Sequence, residues 1–278
     1  MGRVEGKVAF ITGAARGQGR AHAVRLAEEG AHIVAVDALG SYSTVAYPMA
    51  TQEDLDETVR LVEGLDRRIL ARQADVRSRA ELQAVVDEAL ATFGAIDVVS
   101  ANAGIAPLGL PFWEMSEAQW DDCLDVNLKG VWLTCSVVVP SMIERDRGGS
   151  IIVTSSGAGL LGAPHLADYN SSKHGVIGLM RTMANELARH YIRVNAICPT
   201  VVDTPMVQND QLYRLFRPDL DDPQQADVIE SFRRMNAMPE PWIEPVDVSN
   251  AVLWLASDEA RYVTGVALPV DLGSSIKM

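Results

Sequence analysis

Short runs of β-branched and other apolar residues alternate along the chain with longer stretches in which apolar residues recur at helical spacing. Such alternation is typical of βαβ units, in which crossover helices join parallel strands. Apolar positions three or four residues apart predict two of these helices, at residues 55–65 and 82–93. We predict an α/β fold, a doubly wound parallel sheet of about seven strands with helices on both faces, its strands at residues 7–11, 33–36, 69–72, 96–101, 150–154, 193–197 and 267–270.

Two segments lack this periodicity. Residues 39–54 are rich in Gly, Ser, Thr, Tyr and Pro, and residues 204–245 mix prolines with clustered apolar side chains. Irregular segments of this length are usually lids, binding loops or disordered. We therefore expect one domain over residues 1–278, with an inserted loop at 39–54 and a substrate-loop region at 204–245.

Charge and composition exclude several partners. The formal charge of −13 is the wrong sign for tracking a phosphate backbone, so nucleic acid is not expected. The longest uncharged apolar stretch, residues 130–143, is shorter than the roughly 20 residues of a membrane span, so no membrane partner is expected. Three widely spaced cysteines match neither a disulfide framework nor a zinc site, so we expect no metal. With Glu5 and Lys7 where a signal peptide would be apolar, a cytoplasmic location is expected.

A glycine-rich segment, TGAARGQG at residues 12–19, directly follows the first predicted strand and precedes a helical run. Glycines at such a turn permit positive φ and let backbone N–H groups approach a pyrophosphate at the helix N-terminus. A tight turn without a ligand would give the same pattern. The acidic residue that ends the second strand, Asp37, makes a dinucleotide the better interpretation.

Asp37 also bears on which dinucleotide binds. A carboxylate at this position accepts a hydrogen bond from the ribose 2′-hydroxyl and repels a 2′-phosphate, which favours NAD over NADP. Arg16 in the glycine loop argues the other way, unless it pairs with a neighbouring acid. We expect NAD, because Asp37 would contact the discriminating atom directly.

Tyr169 and Lys173 lie one helical turn apart and therefore share a helix face. A free phenol has a pKa near 10 and is a poor base at neutral pH. An adjacent ammonium is one source of a lower pKa, although a surface tyrosine and lysine would show the same spacing. Asn127 lies on an apolar stripe with Trp120 and Val131, where a buried amide needs hydrogen-bond partners.

These motifs, in this order, resemble the short-chain dehydrogenase/reductase family over essentially the whole chain. The resemblance rests on the glycine segment, Asp75-Val76, Asn102-Ala103-Gly104, Asn127, and Ser156 placed 13 residues before Tyr169 in YxxxK. It implies a Rossmann fold. Pro199-Thr200 departs from the Pro-Gly that the family usually has after strand six.

The resemblance implies a role for each matching residue. Tyr169 would be the acid/base, Ser156 would bond the substrate oxygen, and Lys173 would bind the nicotinamide ribose and lower the pKa of the tyrosine. Asn127 would hold a water in the proton relay, and Ser155 is the alternative serine. The dinucleotide is expected at these residues: Gly13, Arg16, Gly17, Gln18, Gly19, Asp37, Asp75, Val76, Asn102, Ala103, Gly104, Tyr169, Lys173, Pro199, Val202 and Thr204.

The inserted loop, with Tyr47-Pro48-Met49-Ala50-Thr51, resembles that of a carveol-dehydrogenase-like subgroup associated with the redox peptide mycofactocin and with tightly retained NAD. We expect NAD-dependent interconversion of a secondary alcohol and a ketone by a homotetramer. Apolar residues in the region 204–245 and after strand four (Leu108, Leu110, Phe112, Trp113) predict a pocket for a cyclic or terpenoid alcohol, although core or subunit interface would explain them equally. The alternatives are an NAD-binding sensor or scaffold without turnover, and an epimerase or dehydratase of the same fold.

Overall fold

The computed structural model describes residues 2–107 and 109–277. All of its strands lie in one parallel sheet of seven, in the order β3-β2-β1-β4-β5-β6-β7. The predicted sheet is confirmed, and the predicted strand ends fall within two residues of the observed ones. The strands are β1 Val8–Thr12, β2 His32–Asp37, β3 Ile69–Gln73, β4 Val98–Ala101, β5 Gly149–Thr154, β6 Ile192–Pro199 and β7 Ala267–Val270.

Helices cover both faces of the sheet, which is why β1 and β4 are buried at every position rather than at alternate ones. Phe10 and Ile11 of β1 are both fully buried but belong to different core layers, since successive side chains point to opposite faces. The helices are α1 Gly17–Glu28, α2 Gln52–Glu63, α3 Arg79–Phe93, α4 Glu117–Leu124, α5 Gly130–Arg145, α6 Ala167–Leu187, α7 Asp210–Phe216, α8 Gln225–Met235 and α9 Pro245–Ala256.

A π-helical turn, Asp125–Lys129, joins α4 and α5 into one continuous helix, Glu117–Arg145. By length and hydropathy alone this stretch of 29 residues could cross a membrane. The uncharged part of it, residues 130–143, is by itself shorter than a membrane span. Of its most apolar window, 56% is buried inside the protein, as in the core helix of a soluble protein. The apolar residues of α5 belong to the same core layer as those of α3 and α6.

The two segments without periodicity differ from expectation in part. The inserted loop ends at Thr51, because a capping box between Thr51 and Asp54 starts α2 at Gln52. Residues 204–245, expected to be irregular, contain α7 and α8. That expectation is wrong for these residues. Val228, Phe232 and Met235 recur at helical spacing in α8, so the helical pattern was present in the sequence between the prolines.

Helix α2 holds the glycine loop from outside. The hydroxyl of Thr58, which is fully buried, lies 3.0 Å from the carbonyl oxygens of both Ala14 and Ala15 and accepts a hydrogen bond from Arg20 at 3.1 Å. Arg20 also donates to the carbonyl of Asp54 at 2.8 Å. The start of the loop is therefore fixed by α2, which follows the inserted segment.

Thr58→Val keeps the side-chain shape but leaves the loop carbonyls and Arg20 without this partner. We expect the free energy of unfolding to fall by about 1–3 kcal/mol, the cost of unsatisfied buried polar groups. Denaturant unfolding followed by circular dichroism measures the change. Thr182→Val is the control, because Thr182 is exposed and bonds only the carbonyl of Gly178 on its own helix. Equal effects of the two substitutions would contradict the role given to Thr58.

Candidate active site

A cleft lies at the carboxyl ends of the parallel strands, where the strand order reverses between β1 and β4. It encloses about 1180 Å³, counting its open mouth. Most of the sequence-predicted residues line it: Gly13, Arg16, Gly17, Gln18, Asp37, Val76, Asn102, Ala103, Gly104, Ser156, Tyr169, Lys173, Pro199, Val202 and Thr204. Gly19, Asp75 and Asn127 do not.

The glycine loop approaches β4 so closely that side chains have no room. Gly13 has a φ of +66°, and a Cβ there would lie 2.9 Å from the Cα of Ala103. A Cβ on Gly19 would lie 2.0 Å from the carbonyl oxygen of Gly13, so Gly19 supports the loop from behind the cleft. Asn102 completes the contact by donating from its side chain to the carbonyl of Thr12 at 3.1 Å. The surface that this loop, residues 12–19, presents to the cleft is therefore made largely of backbone atoms, and we call it the cradle.

Asp37 ends β2 at the side of this cradle. Its carboxylate accepts hydrogen bonds from the backbone N–H groups of Ala15 at 3.0 Å and Leu39 at 3.3 Å. Burial raises the pKa of Asp37, and these hydrogen bonds and the charge of Arg16 offset only part of that rise. The guanidinium of Arg16 itself donates to the carbonyl of Pro48 in the inserted loop.

Aromatic residues of the inserted loop form part of the cleft wall, which sequence reasoning missed. Tyr42 and Tyr47 are buried, and Tyr47 accepts a hydrogen bond from the N–H of Ala106 at 3.1 Å. Burial raises the pKa of each tyrosine to about 12, so both stay neutral. The signal available in the sequence was two tyrosines five and ten residues after Asp37, which ends β2. The inserted loop thus bridges the glycine loop and the segment after β4.

The carboxylate of Asp75 forms an ion pair and does not line the cleft. Its carboxylate pairs with Arg77 at 2.8 Å, and Arg77 also reaches Asp122 at 3.2 Å. Burial would raise the pKa of Asp75, but the hydrogen bonds from Arg77 outweigh it and the pKa is lowered. The ring of Tyr42 lies 4.6 Å from the guanidinium carbon of Arg77. Of the predicted Asp75-Val76 pair, only Val76 faces the cleft.

Tyr169 and Lys173 lie on the first turns of α6, which begins at Ala167, and their side chains meet in the cleft. The ammonium of Lys173 lies 5.5 Å from the ring centre of Tyr169 and donates to the carbonyl of Thr154 at 2.9 Å. Ser156 follows β5 and bonds the Tyr169 side chain. Ser155, the alternative serine, is buried and donates to the carbonyl of Lys173 at 2.9 Å. The tyrosine's polar neighbour is thus Ser156.

Burial and a hydrogen bond change the pKa of Tyr169 in opposite directions. Burial raises the pKa of Tyr169, and the hydrogen bond with Ser156 is the interaction that lowers it. The expected lowering of the Tyr169 pKa by Lys173 stays a prediction. Burial lowers the pKa of Lys173 to about 8, so its charge is costly where it lies.

Asn127 lies in the π-helical turn, fully buried behind the cleft. Its side chain accepts from the N–H of Ile105 at 2.8 Å and donates to the carbonyl of Ile105 at 2.9 Å. These backbone bonds satisfy the amide. Of the predicted apolar stripe, Val131 is buried, whereas Trp120 is 38% exposed.

The substrate-loop region contributes a small apolar cluster at one end of the cleft. Phe232 of α8 is fully buried and packs edge-on against Phe216 and Trp242, with ring centres 4.8 Å and 6.3 Å away. Tyr169 packs against the same cluster, as do Leu212, Tyr213, Val228, Met206 and Val207. Phe112 and Trp113, expected in the pocket, are each 71% exposed. Leu108 lies outside the described residues.

A glycine loop whose backbone can hold a pyrophosphate lies in the same cleft as a tyrosine and a buried lysine. This is the arrangement of a dinucleotide-dependent oxidoreductase. Residues 7–213 match the family described as short chain dehydrogenase. The chain belongs to that family.

Three relatives agree over their full length. The (-)-trans-carveol dehydrogenase of Rhodococcus erythropolis is 50% identical over 277 residues, covering 100% of both chains. A putative short-chain type dehydrogenase/reductase of Mycolicibacterium smegmatis is 56% identical, covering 99% of each. The crystal structure of carveol dehydrogenase from Mycobacterium avium in complex with NAD superposes with a TM-score of 0.98 at 53% identity, covering 100% of both chains.

Proposed function

We propose that the protein is an NAD-dependent dehydrogenase that interconverts a secondary alcohol and its ketone. The observation that carries this proposal is that Ser156, Tyr169 and Lys173 line the same cleft as the glycine loop and Asp37. Acid/base groups and a nucleotide cradle are thus close enough to act on one substrate. The kinship with the two carveol dehydrogenases supports it.

The residues present fit NAD. The pyrophosphate would lie on the backbone of the glycine loop, where a Cβ on Gly13 would collide with Ala103, and at the N-terminus of α1. Asp37 would accept from the adenosine ribose, and its buried charge would repel a 2′-phosphate. Lys173, whose ammonium uses one of three protons on Thr154, would donate to the other ribose.

The chain's own residues account for the proton. Tyr169, as phenolate, would take the proton of the substrate hydroxyl, and Ser156 would donate a hydrogen bond to the same oxygen as it becomes a carbonyl. In ketone reduction the phenol returns the proton. When bound, oxidised NAD supplies the hydride acceptor and a positive ring that favours the phenolate. Lys173 would add its positive charge near the nicotinamide ribose.

A cyclic or terpenoid alcohol is the substrate class we propose. Met206 and Val207, which line the cleft with Tyr169 and pack on the cluster around Phe232, supply an apolar wall. Carveol, after which the relatives are named, is an apolar secondary alcohol of this kind. We further propose that residues 1–278 form one domain and that the protein works as a cytoplasmic homotetramer, independent of nucleic acid and membranes. Three buried free thiols suit a reducing compartment.

Tyr169→Phe should lower turnover of trans-carveol at least about 100-fold, because the acid/base is lost while packing is kept. NAD affinity should be unchanged. The absorbance of reduced nicotinamide reports turnover, and fluorescence titration reports NAD binding. Tyr191→Phe, at a tyrosine 83% exposed, is the control. Undiminished turnover in Tyr169→Phe would contradict the mechanism. No turnover of any secondary alcohol by the parent would favour a sensor or scaffold.

We also propose that the inserted loop retains NAD, so that an external acceptor such as mycofactocin reoxidises the cofactor in place. Tyr47 joins the loop to Ala106 at 3.1 Å, and Arg16 joins it to the glycine loop. Release of the dinucleotide would require both contacts to open. Opening of such a lid often limits exchange.

Purified protein should therefore carry NAD through gel filtration. Tyr47→Phe removes the acceptor for the N–H of Ala106 and should speed NAD release several-fold, measured as nucleotide recovered after timed dialysis. Tyr262→Phe, at a tyrosine 89% exposed, should behave like the parent. Recovery of nucleotide-free parent protein after ordinary dialysis would rule out retention.

A further inference from the structure

Thr200 directly follows β6, at the position where the family usually has a glycine. It lines the cleft, and its backbone N–H donates to the carbonyl of Val270 at the end of β7, at 3.2 Å. Its hydroxyl donates to Oδ1 of Asn236 at 3.3 Å. A glycine has no hydroxyl and could not form this bond. Thr200 therefore connects the cleft to the substrate-loop region, in which Asn236 lies.

Asn236 is the residue directly after α8, and it is 2% exposed. Its Nδ2 donates to the carbonyl of Glu240 at 2.7 Å and lies 3.5 Å from that of Pro241. With Nδ2 used in this way, Oδ1 is the atom that faces Thr200. A buried amide needs partners at both ends. The turn after α8 satisfies one end of this amide, and Thr200 satisfies the other.

The same amide joins two aromatic residues of the apolar cluster. Phe232 lies four residues before Asn236 on α8, and Trp242 directly follows Pro241. Their rings pack edge-on with centres 6.3 Å apart, and Phe232 is fully buried. Because Asn236 bonds across the turn between them, it fixes how α8 and the segment of Trp242 sit on one another.

This cluster supports the apolar wall of the cleft. Met206 and Val207, which form that wall, pack against the cluster around Phe232 and line the cleft with Tyr169. Close-packed interiors transmit a displacement from one side chain to the next. A shift of α8 at its end would therefore move the surface that a substrate meets.

The carboxyl-terminal segment holds the end of α8 from another direction. Lys277 donates to the carbonyls of Arg234 and Asn236, both at 2.6 Å, and the N–H of Ala237 donates to the carbonyl of Leu272 at 3.0 Å. None of these five residues lines the cleft. The hydrogen bond from Thr200 is thus the contact that ties the end of α8 to the cleft itself.

We propose that Thr200 and Asn236 are positioning residues, which hold the apolar wall in place and thereby set the affinity for the alcohol. Their bond acts on the wall, so proton transfer at Tyr169 should not depend on it. NAD affinity should not depend on it either, because Asn102 and α2 hold the cradle separately. The inference rests on the proposed function, in which this wall receives a cyclic or terpenoid alcohol.

Thr200→Val keeps the β-branched shape and removes the hydroxyl. We expect the KM for trans-carveol to rise about three- to tenfold, the equivalent of one lost hydrogen bond, while kcat and NAD affinity stay within about twofold. Amide hydrogen exchange of residues 225–242, followed by mass spectrometry, should become faster. Thr200→Ser keeps the hydroxyl and should match the parent in each measurement. Thr182→Val, at an exposed threonine on α6, is the control for the loss of a hydroxyl.

Asn236→Ala tests whether the effect passes through the amide. On that background Thr200→Val should raise the KM no further, since the bond is already lost. A further rise of the same size would mean that Thr200 contacts the alcohol directly, and would overturn the inference. If Asn236→Ala does not fold, the comparison of Thr200→Val with Thr200→Ser decides alone.

An unchanged KM in Thr200→Val, with or without faster exchange, would overturn the inference. An equal loss of NAD affinity would mean that Thr200 serves the dinucleotide, and would overturn it too. If the parent oxidises no alcohol, the proposed function fails, and hydrogen exchange then decides on Thr200: faster exchange of residues 225–242 in Thr200→Val, but not in Thr200→Ser, keeps its support of α8, and unchanged exchange removes it. The two failures are thus distinguishable.

Discussion

The buried ammonium of Lys173 is the constraint on which the site depends. It is 3% exposed, and within residues 2–107 and 109–277 its one acceptor is the carbonyl that ends β5 at Thr154. An ammonium has three protons, so two remain for a ligand in the cleft. The bond to Thr154 joins α6 to the end of β5, and Tyr169, one turn earlier on α6, lines the same cleft as Ser156. Cofactor binding and acid/base chemistry thus share one buried charge.

The opposite wall of the cleft depends on close backbone approach rather than on charge. Gly13 and Gly19 let the loop after β1 pack against Ala103, while Thr58 of α2 and the inserted loop hold it from outside. The inserted loop therefore supports the cradle, and in the proposed function it also covers the bound dinucleotide.

The sequence predicted what depends on local pattern. Strands buried on both faces are continuous apolar runs, and glycines at a strand end report a close approach, so the sheet and most cleft residues followed. One failure depends on a contact distant in sequence, the hydrogen bond from the N–H of Ala106 to Tyr47. The others are local: Arg77, two residues on, takes the carboxylate of Asp75, and the helical spacing in α7 and α8 lies among prolines. The burial of Tyr169, which raises its pKa, could not be predicted either, because burial depth is invisible in a YxxxK spacing.

The most direct measurement of this account compares the parent protein with Lys173→Met, which keeps the side-chain length and removes the charge. Isothermal titration gives NAD affinity, and the absorbance of reduced nicotinamide gives turnover of trans-carveol. The account predicts that both fall together, affinity by about 10-fold for a lost charged hydrogen bond and turnover by more. A variant that binds NAD and oxidises the alcohol as the parent does would contradict it.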